Sequence, residues 1–211
     1  MFDVDGTLVE SVKHDGELYS YAVKSVLGVS VHDDWSQYRN VTDSGILQEL
    51  IQDFGDAHEA SRLTTEVKQE YLSLLRDSLE RDERVLSQVP GAGALLQRLK
   101  LRDDLRVAIA TGGWRESAEL KLRHSGIPFE GVALASGDDS PIRTEIMLIA
   151  ESRAIGEYRF TRKVYFGDGE WDREACERIG YEFVAIGTKF EHEKQLRNFE
   201  QMEEVFECAS L

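Results

Sequence analysis

The pattern of apolar and polar positions divides the chain into two kinds of segment. From about residue 13 to about residue 86, apolar residues recur every three or four positions, the period of one helix face. In "DGELYSYAVKSVLG", Leu18, Tyr21, Ala22, Val26 and Leu27 fall near one stripe that Gly28 stops. "TDSGILQELIQDFG" predicts a helix capped by Thr42 or Asp43, with Gly55 beyond its end. "SRLTTEVKQEYLSLLRDSL" carries Leu63, Val67, Tyr71, Leu74, Leu75 and Leu79 at helical spacing. After Pro90-Gly91 the pattern changes. Short apolar runs ("VAIA", "GVALAS", "KVYF", "EFVAIG") alternate with amphipathic segments such as "WRESAELKLRHSGI" and "TEIMLIAESRAIG". This alternation predicts βα units and an α/β fold, with a parallel sheet flanked by helices. The runs are continuously apolar, as in a sheet buried on both faces. The opening "MFDVD" joins that sheet by its chemistry, which makes the helical block an insertion after the first strand. The expected division is residues 1–12 and 88–211 as the core and 13–87 as the helical insertion, with connections near Leu8 to Asp15 and Val85 to Gly91.

Composition narrows the partners. The net charge of -15 over 211 residues argues against nucleic acid and anionic membranes. It leaves room for a small phosphorylated molecule, because a bound divalent cation reverses the local sign. Cys176 and Cys208 form no CxxC pair and read as idle thiols of a reducing compartment. No charged-then-apolar leader precedes the first motif and no apolar run is long enough to span a bilayer, so a cytoplasmic location is expected.

Three strand ends carry candidate chemistry, and ligands of open parallel sheets sit at the carboxyl ends of strands. The first is Asp3-Val4-Asp5-Gly6-Thr7. Side chains two apart on a strand point the same way. Two like charges held close raise the pKa of one and so separate the roles. One carboxylate can attack phosphorus and the other can carry a proton for the leaving oxygen. Gly6 permits a turn that a side chain would obstruct. The second end is Thr111-Gly112-Gly113, which reads either as a phosphate-binding helix start or as a plain helix cap. The third is Gly167-Asp168-Gly169, with Asp172 four residues on. Clustered carboxylates call for a cation, and all-oxygen ligands suit a hard ion such as Mg²⁺. Asp172 reads equally as a favourable charge in the first turn of a helix. Arg143 starts a helix, where its fork fits phosphate oxygens or simply faces solvent.

These stretches, in this order, resemble the haloacid dehalogenase (HAD) superfamily: "DVDGTL", "ATGG", Arg143 in "RTEI", and "GDGEWD" look like its four motifs. The helical insertion resembles the C1-type cap of the phosphoglycolate phosphatase and β-phosphoglucomutase branch. The resemblance implies a Rossmann-like core and a Mg²⁺-dependent phosphatase of a small phosphorylated metabolite. It implies that Asp3 is the nucleophile that forms an aspartyl-phosphate and Asp5 the general acid and then base. Asp3, the backbone carbonyl of Asp5, and Asp168 would ligate Mg²⁺. Thr111, Gly112 and Arg143 would hold phosphate, and Asp172 would support the metal or Arg143. Arg143 stands where the family most often has lysine. Relatives lacking an aspartate at the Asp5 position cleave C–halogen or C–P bonds, so Asp5 implies P–O cleavage.

In capped relatives the cap chooses the leaving group, so "YRNVTDSGI" marks Arg39 and Thr42 as possible substrate contacts, against the plainer readings of a solvated arginine and a helix cap. Members usually carry several apolar residues before the "FD" pair, where this chain has Met1 and Phe2. A short central strand of reduced stability is therefore expected. Two other functions fit the same motifs: a phosphomutase, and a catalytically silent HAD-fold binding protein.

Overall fold

The computed structural model describes residues 1–52, 57–82, 84–156 and 159–210. The helical block forms α1 (Val12–Leu27), a 3-10 turn at Trp35–Gln37, α2 (Asp43–Ile51) and α3 (Ala57–Arg81). Gly28 ends α1 in the left-handed conformation at φ 71°. Thr42 caps α2, its Oγ1 accepting from the Gly45 N–H at 2.9 Å. Gly55, the expected stop of α2, lies outside the described residues. Tyr19, Ala22 and Val23 of α1 pack with Leu63, Val67, Tyr71 and Leu75 of α3, and Trp114 from the sheet domain enters the same core.

The second part of the chain supplies α4 (Ala92–Lys100), β1 (Ala108–Ala110), α5 (Arg115–His124), β2 (Ala133–Ala135) and α6 (Arg143–Ile155). It continues with β3 (Val164–Gly167), α7 (Glu170–Ile179), β4 (Glu182–Ile186), β5 (Gln195–Leu196) and α8 (Met202–Ala209). β1 pairs in parallel with β2, β3 with β4 and β4 with β5. Met1–Asp3 joins the two halves. The Phe2 N–H donates to the Ala108 carbonyl and the Asp3 N–H to the Phe166 carbonyl, both at 2.9 Å. The order is thus β2, β1, Met1–Asp3, β3, β4, β5, with all pairing parallel. The fold is an α/β parallel sheet flanked by helices, with a helical domain inserted after its central strand. The two connections to that domain run antiparallel: Val9 pairs with Gln88, and the Glu10 N–H donates to the Ser87 carbonyl at 2.8 Å. β5 and α8 extend the pattern beyond the expected elements. No described helix is long and apolar enough to cross a membrane.

A cavity of about 550 Å³ lies beside Met1, lined by Met1, Leu99, Leu105, Val107 and Val164 together with charged residues such as Arg102, Glu151 and Lys163. The Met1 amine donates to the Val164 carbonyl at 2.8 Å. Burial lowers its pKa from 8.0 to about 5. The unfolded amine therefore binds a proton that the folded one rejects, and this group makes stability rise with pH between those values. The slope is up to about 1.4 kcal/mol per pH unit. Extending the N-terminus by three apolar residues converts the amine to a neutral amide and removes this desolvation cost. The expected result is a Tm higher by about 5 °C at pH 7 and a flatter pH profile. An unchanged Tm and slope in a pH-scanned melt would contradict this.

Candidate active site

The carboxyl ends of Met1–Asp3, β1 and β3 converge beneath the helical insertion, around a cavity of about 100 Å³. Asp3 is buried, and its Oδ1 has no hydrogen-bond partner. Oxygen atoms of Asp3, Asp168 and Asp172, all buried, lie within 4.8 Å of one another. Burial, then the charge of Asp172, push the Asp3 carboxyl well above the usual carboxylate range. Burial likewise raises Asp168 to about 6, opposed by the Lys189 ammonium that sits against it. Three hard carboxylate donors with an orphaned buried oxygen among them fit a small divalent cation.

The turn after the strand brings these groups together. Gly6 has φ +79°, and a Cβ there would stand 1.9 Å from Asp168 Oδ2. Gly6→Ala therefore has to displace Asp168 or the turn. A loss of Mg²⁺ affinity of more than about tenfold is expected by calorimetry, with any turnover falling at least as far. Wild-type affinity in Gly6→Ala would contradict this placement.

Arg143, the first residue of α6, reaches back into the cluster. Its Nη1 lies 2.8 Å from Asp172 Oδ1 and 3.8 Å from Asp3 Oδ1. Its Nη2 donates to the Val41 carbonyl of the insertion at 2.8 Å. Burial works against the charge, but Asp172 and Asp3 hold the guanidinium well above its ordinary pKa. Gly112 leaves room for it: a Cβ there would meet Nη2 at 2.5 Å. Thr111 does not cap α5, whose N-cap residue is Trp114; its Oγ1 accepts from the Gly113 N–H at 3.2 Å. Thr111, Gly112 and Gly113 line the cavity.

Asp5 turns to a second cluster. Its Oδ1 accepts from Ser11 Oγ at 2.5 Å, and the Lys121 ammonium binds both its oxygens at 2.6 and 2.8 Å. Lys121 is fully buried and also binds Asp15 Oδ1 at 2.7 Å. Burial opposes its charge, but Asp15 and Asp5 outweigh it and raise its pKa well above normal.

The insertion is docked through residues 41–44. The Asp43 N–H donates to the Gly112 carbonyl, and Asp43 Oδ2 accepts from the Trp114 N–H, both at 2.9 Å. The Thr42 hydroxyl donates to the Pro141 carbonyl at 2.8 Å. Thr42 lines the cavity with its hydroxyl engaged in that bond and in the helix cap, whereas Arg39 is exposed and does not line it. Tyr19, Trp35 and Asp43 form the insertion's side of the wall instead.

A model of the haloacid dehalogenase-like hydrolases matches residues 1–180. The chain belongs to this family. Among solved structures, it is similar to a β-phosphoglucomutase from Clostridium difficile, at 16% identity and TM-score 0.72 over 99% of this chain and 95% of that one. It is also similar to CbbY from Rhodobacter sphaeroides, solved in complex with phosphate, at 19% identity and TM-score 0.68 over 95% and 94% of the two chains. A hydrolase from Pseudomonas syringae matches at 21% identity and TM-score 0.67 over 99% and 89%. These likenesses are of fold. No curated protein matches the chain.

In this HAD-like hydrolase, Asp3, Thr111, Gly112, Arg143, Asp168 and Asp172 meet at one place, and Asp5 stands beside them with its carboxylate drawn toward α5. Sequence reasoning missed Lys121, Lys189 and Asp15. Lys121 had a signal: it shares the inward stripe of α5 with Ser117, Ala118 and Leu122, where a solvated lysine does not belong. Lys189 follows β4 at the same carboxyl edge of the sheet as the other site residues.

Proposed function

We propose that the chain is a Mg²⁺-dependent phosphatase that hydrolyses a small phosphorylated metabolite through an aspartyl-phosphate. Residues 1–12 and 88–211 carry the chemistry and residues 13–87 act as the cap. The supporting observation is Asp3: a buried carboxylate whose Oδ1 makes no hydrogen bond and lies 3.8 Å from a guanidinium, beside two further carboxylates in the wall of a cavity. Asp3 and Asp168, with the backbone carbonyl of Asp5, would hold the metal, and Asp172 would support it while orienting Arg143. Mg²⁺, when bound, neutralises charge on Asp3 and on the phosphoryl oxygens. Asp3 attacks phosphorus, and the departing oxygen takes the proton that Asp5 carries from the preceding turnover, which leaves Asp5 as the carboxylate that Lys121 and Ser11 hold here. Asp5 then takes a proton from the water that attacks the acyl phosphate, which restores Asp3. Arg143, Thr111 and the Gly112 backbone orient the phosphoryl group.

The insertion's side of the cavity wall, formed by Tyr19, Trp35 and Asp43, would select the leaving group. The charges also select. Among the described residues, Arg143 pairs with Asp172, Lys189 with Asp168, and Lys121 with Asp5 and Asp15, while Asp43 adds a further carboxylate to the wall. Asp15 and Asp43 thus put negative charge on the insertion's side of the cavity, against a carboxylate on the leaving group. Glycerol phosphate and phosphoethanolamine are expected to exceed phosphoglycolate in kcat/KM by about tenfold or more. Phosphate release from these three esters, with and without Mg²⁺, tests the reading. Mg²⁺ alone is also expected to raise Tm, as a ligand of the native state. Tight Mg²⁺ binding without turnover of any ester would point to the silent binder.

A further inference from the structure

We propose that Lys121 is a positioning residue for Asp5, fixing its carboxylate and tying its orientation to the helical insertion through Asp15 and Tyr71. An ammonium has three donors, and here all three find carboxylate oxygens: Asp5 Oδ1 at 2.6 Å, Asp5 Oδ2 at 2.8 Å and Asp15 Oδ1 at 2.7 Å. None remains for a substrate, and Lys121 does not line the cavity, so an effect on chemistry passes through its partners Asp5 and Asp15, which do; the Asp15→Asn comparison below separates the two. The bidentate grip, with Ser11 Oγ at 2.5 Å from Oδ1, leaves the Asp5 carboxylate little rotational freedom.

The other end of the contact lies in the insertion. Asp15 belongs to α1, and the Tyr71 hydroxyl of α3 donates to it. Asp43, the next carboxylate outward, is held by the Trp114 N–H at 2.9 Å. A chain of polar contacts thus runs from Tyr71 through Asp15 and Lys121 to Asp5, and its middle link, Asp15 to Lys121, crosses from the insertion to the sheet domain. A shift of α1 or α3 moves Asp15 and, through Lys121, the carboxylate that handles the proton.

The inference rests on the phosphatase reading, and the test separates the two. Lys121→Met alone leaves two carboxylates facing each other, so the informative variant is Lys121→Met with Asp15→Asn, compared with Asp15→Asn by itself. For glycerol phosphate the double variant is expected to lose about 100-fold in kcat, the scale of general acid–base catalysis, with KM little changed. With p-nitrophenyl phosphate, whose leaving group departs without a proton, the first equivalent of nitrophenolate is expected at near the wild-type rate. Later turnovers slow, because hydrolysis of the phosphoenzyme still needs Asp5 as base. Equal loss in both phases, a change in KM alone, or wild-type kcat would overturn the role. If the double variant does not fold, Tyr71→Phe keeps every charge and is expected to lower kcat about threefold; no change there would also overturn it. A wild-type protein that turns over neither ester overturns the phosphatase reading instead. The crystal structure of the double variant then decides on Lys121: a displaced Asp5 carboxylate supports the role and an unmoved one overturns it.

Discussion

Asp3→Asn is expected to lower Mg²⁺-dependent phosphate release by at least about a thousandfold, because an amide does not act as the nucleophile. The same substitution is expected to leave Tm unchanged or to raise it. Asp3 is buried beside Asp172, and both burial and that neighbour push its carboxyl well above the usual range. A group whose folded pKa is raised destabilises the fold once pH exceeds the unfolded value, so its ionised form is a cost at pH 7. The isosteric amide removes that cost while keeping the volume. A protein that is as stable or more so, yet inactive, is the outcome expected of a strained functional carboxylate. A Tm that falls along with activity would mean that Asp3 supports the fold.

Arg143→Met is expected to do the opposite and to destabilise the protein as well as inactivate it. The guanidinium faces Asp172 at 2.8 Å and Asp3 at 3.8 Å, and it binds the Val41 carbonyl at 2.8 Å. Removing one partner of a buried ion pair leaves unneutralised charge and costs about 3–5 kcal/mol. For a chain of this size that is about 10 °C in Tm. Adding Asp172→Asn to Arg143→Met is expected to recover much of the lost Tm and none of the turnover. Arg143→Lys keeps the charge without the fork, so it serves Asp172 or Val41 but not both, and an intermediate loss is expected. Differential scanning calorimetry alongside phosphate release checks the series. A Tm of Arg143→Met within a degree of wild type would contradict the pairing.

Much of this arrangement is legible in the amino-acid sequence alone. The change from a three-to-four period to short continuous apolar runs marks the boundary between the helical insertion and the βα units, and the motif residues fall at strand ends because parallel strands present their carboxyl ends together. Two classes of feature escaped. β5 is only two residues long, too short for a run of apolar residues to announce it, and its existence depends on pairing with β4. The charged neighbours Asp15, Lys121 and Lys189 come from three separate segments, and their meeting depends on the angle at which the insertion docks and on the turn after β4. Arg39 illustrates the converse: a basic residue in the insertion's loop, close in sequence to Thr42, yet exposed outside the cavity, while Thr42 spends its hydroxyl on Pro141 and on its own helix. Local sequence places a residue on an element, but which groups share a buried cluster is settled by long-range packing.

The most direct test of the central claim is to quench the enzyme in acid during turnover of a ³²P-labelled ester with Mg²⁺ and to map the label by peptide analysis. Hydroxylamine-labile label on the peptide containing Asp3, absent from Asp3→Asn, is the expected result. Rapid Mg²⁺-dependent turnover without covalent label, undiminished in Asp3→Asn, would contradict the account.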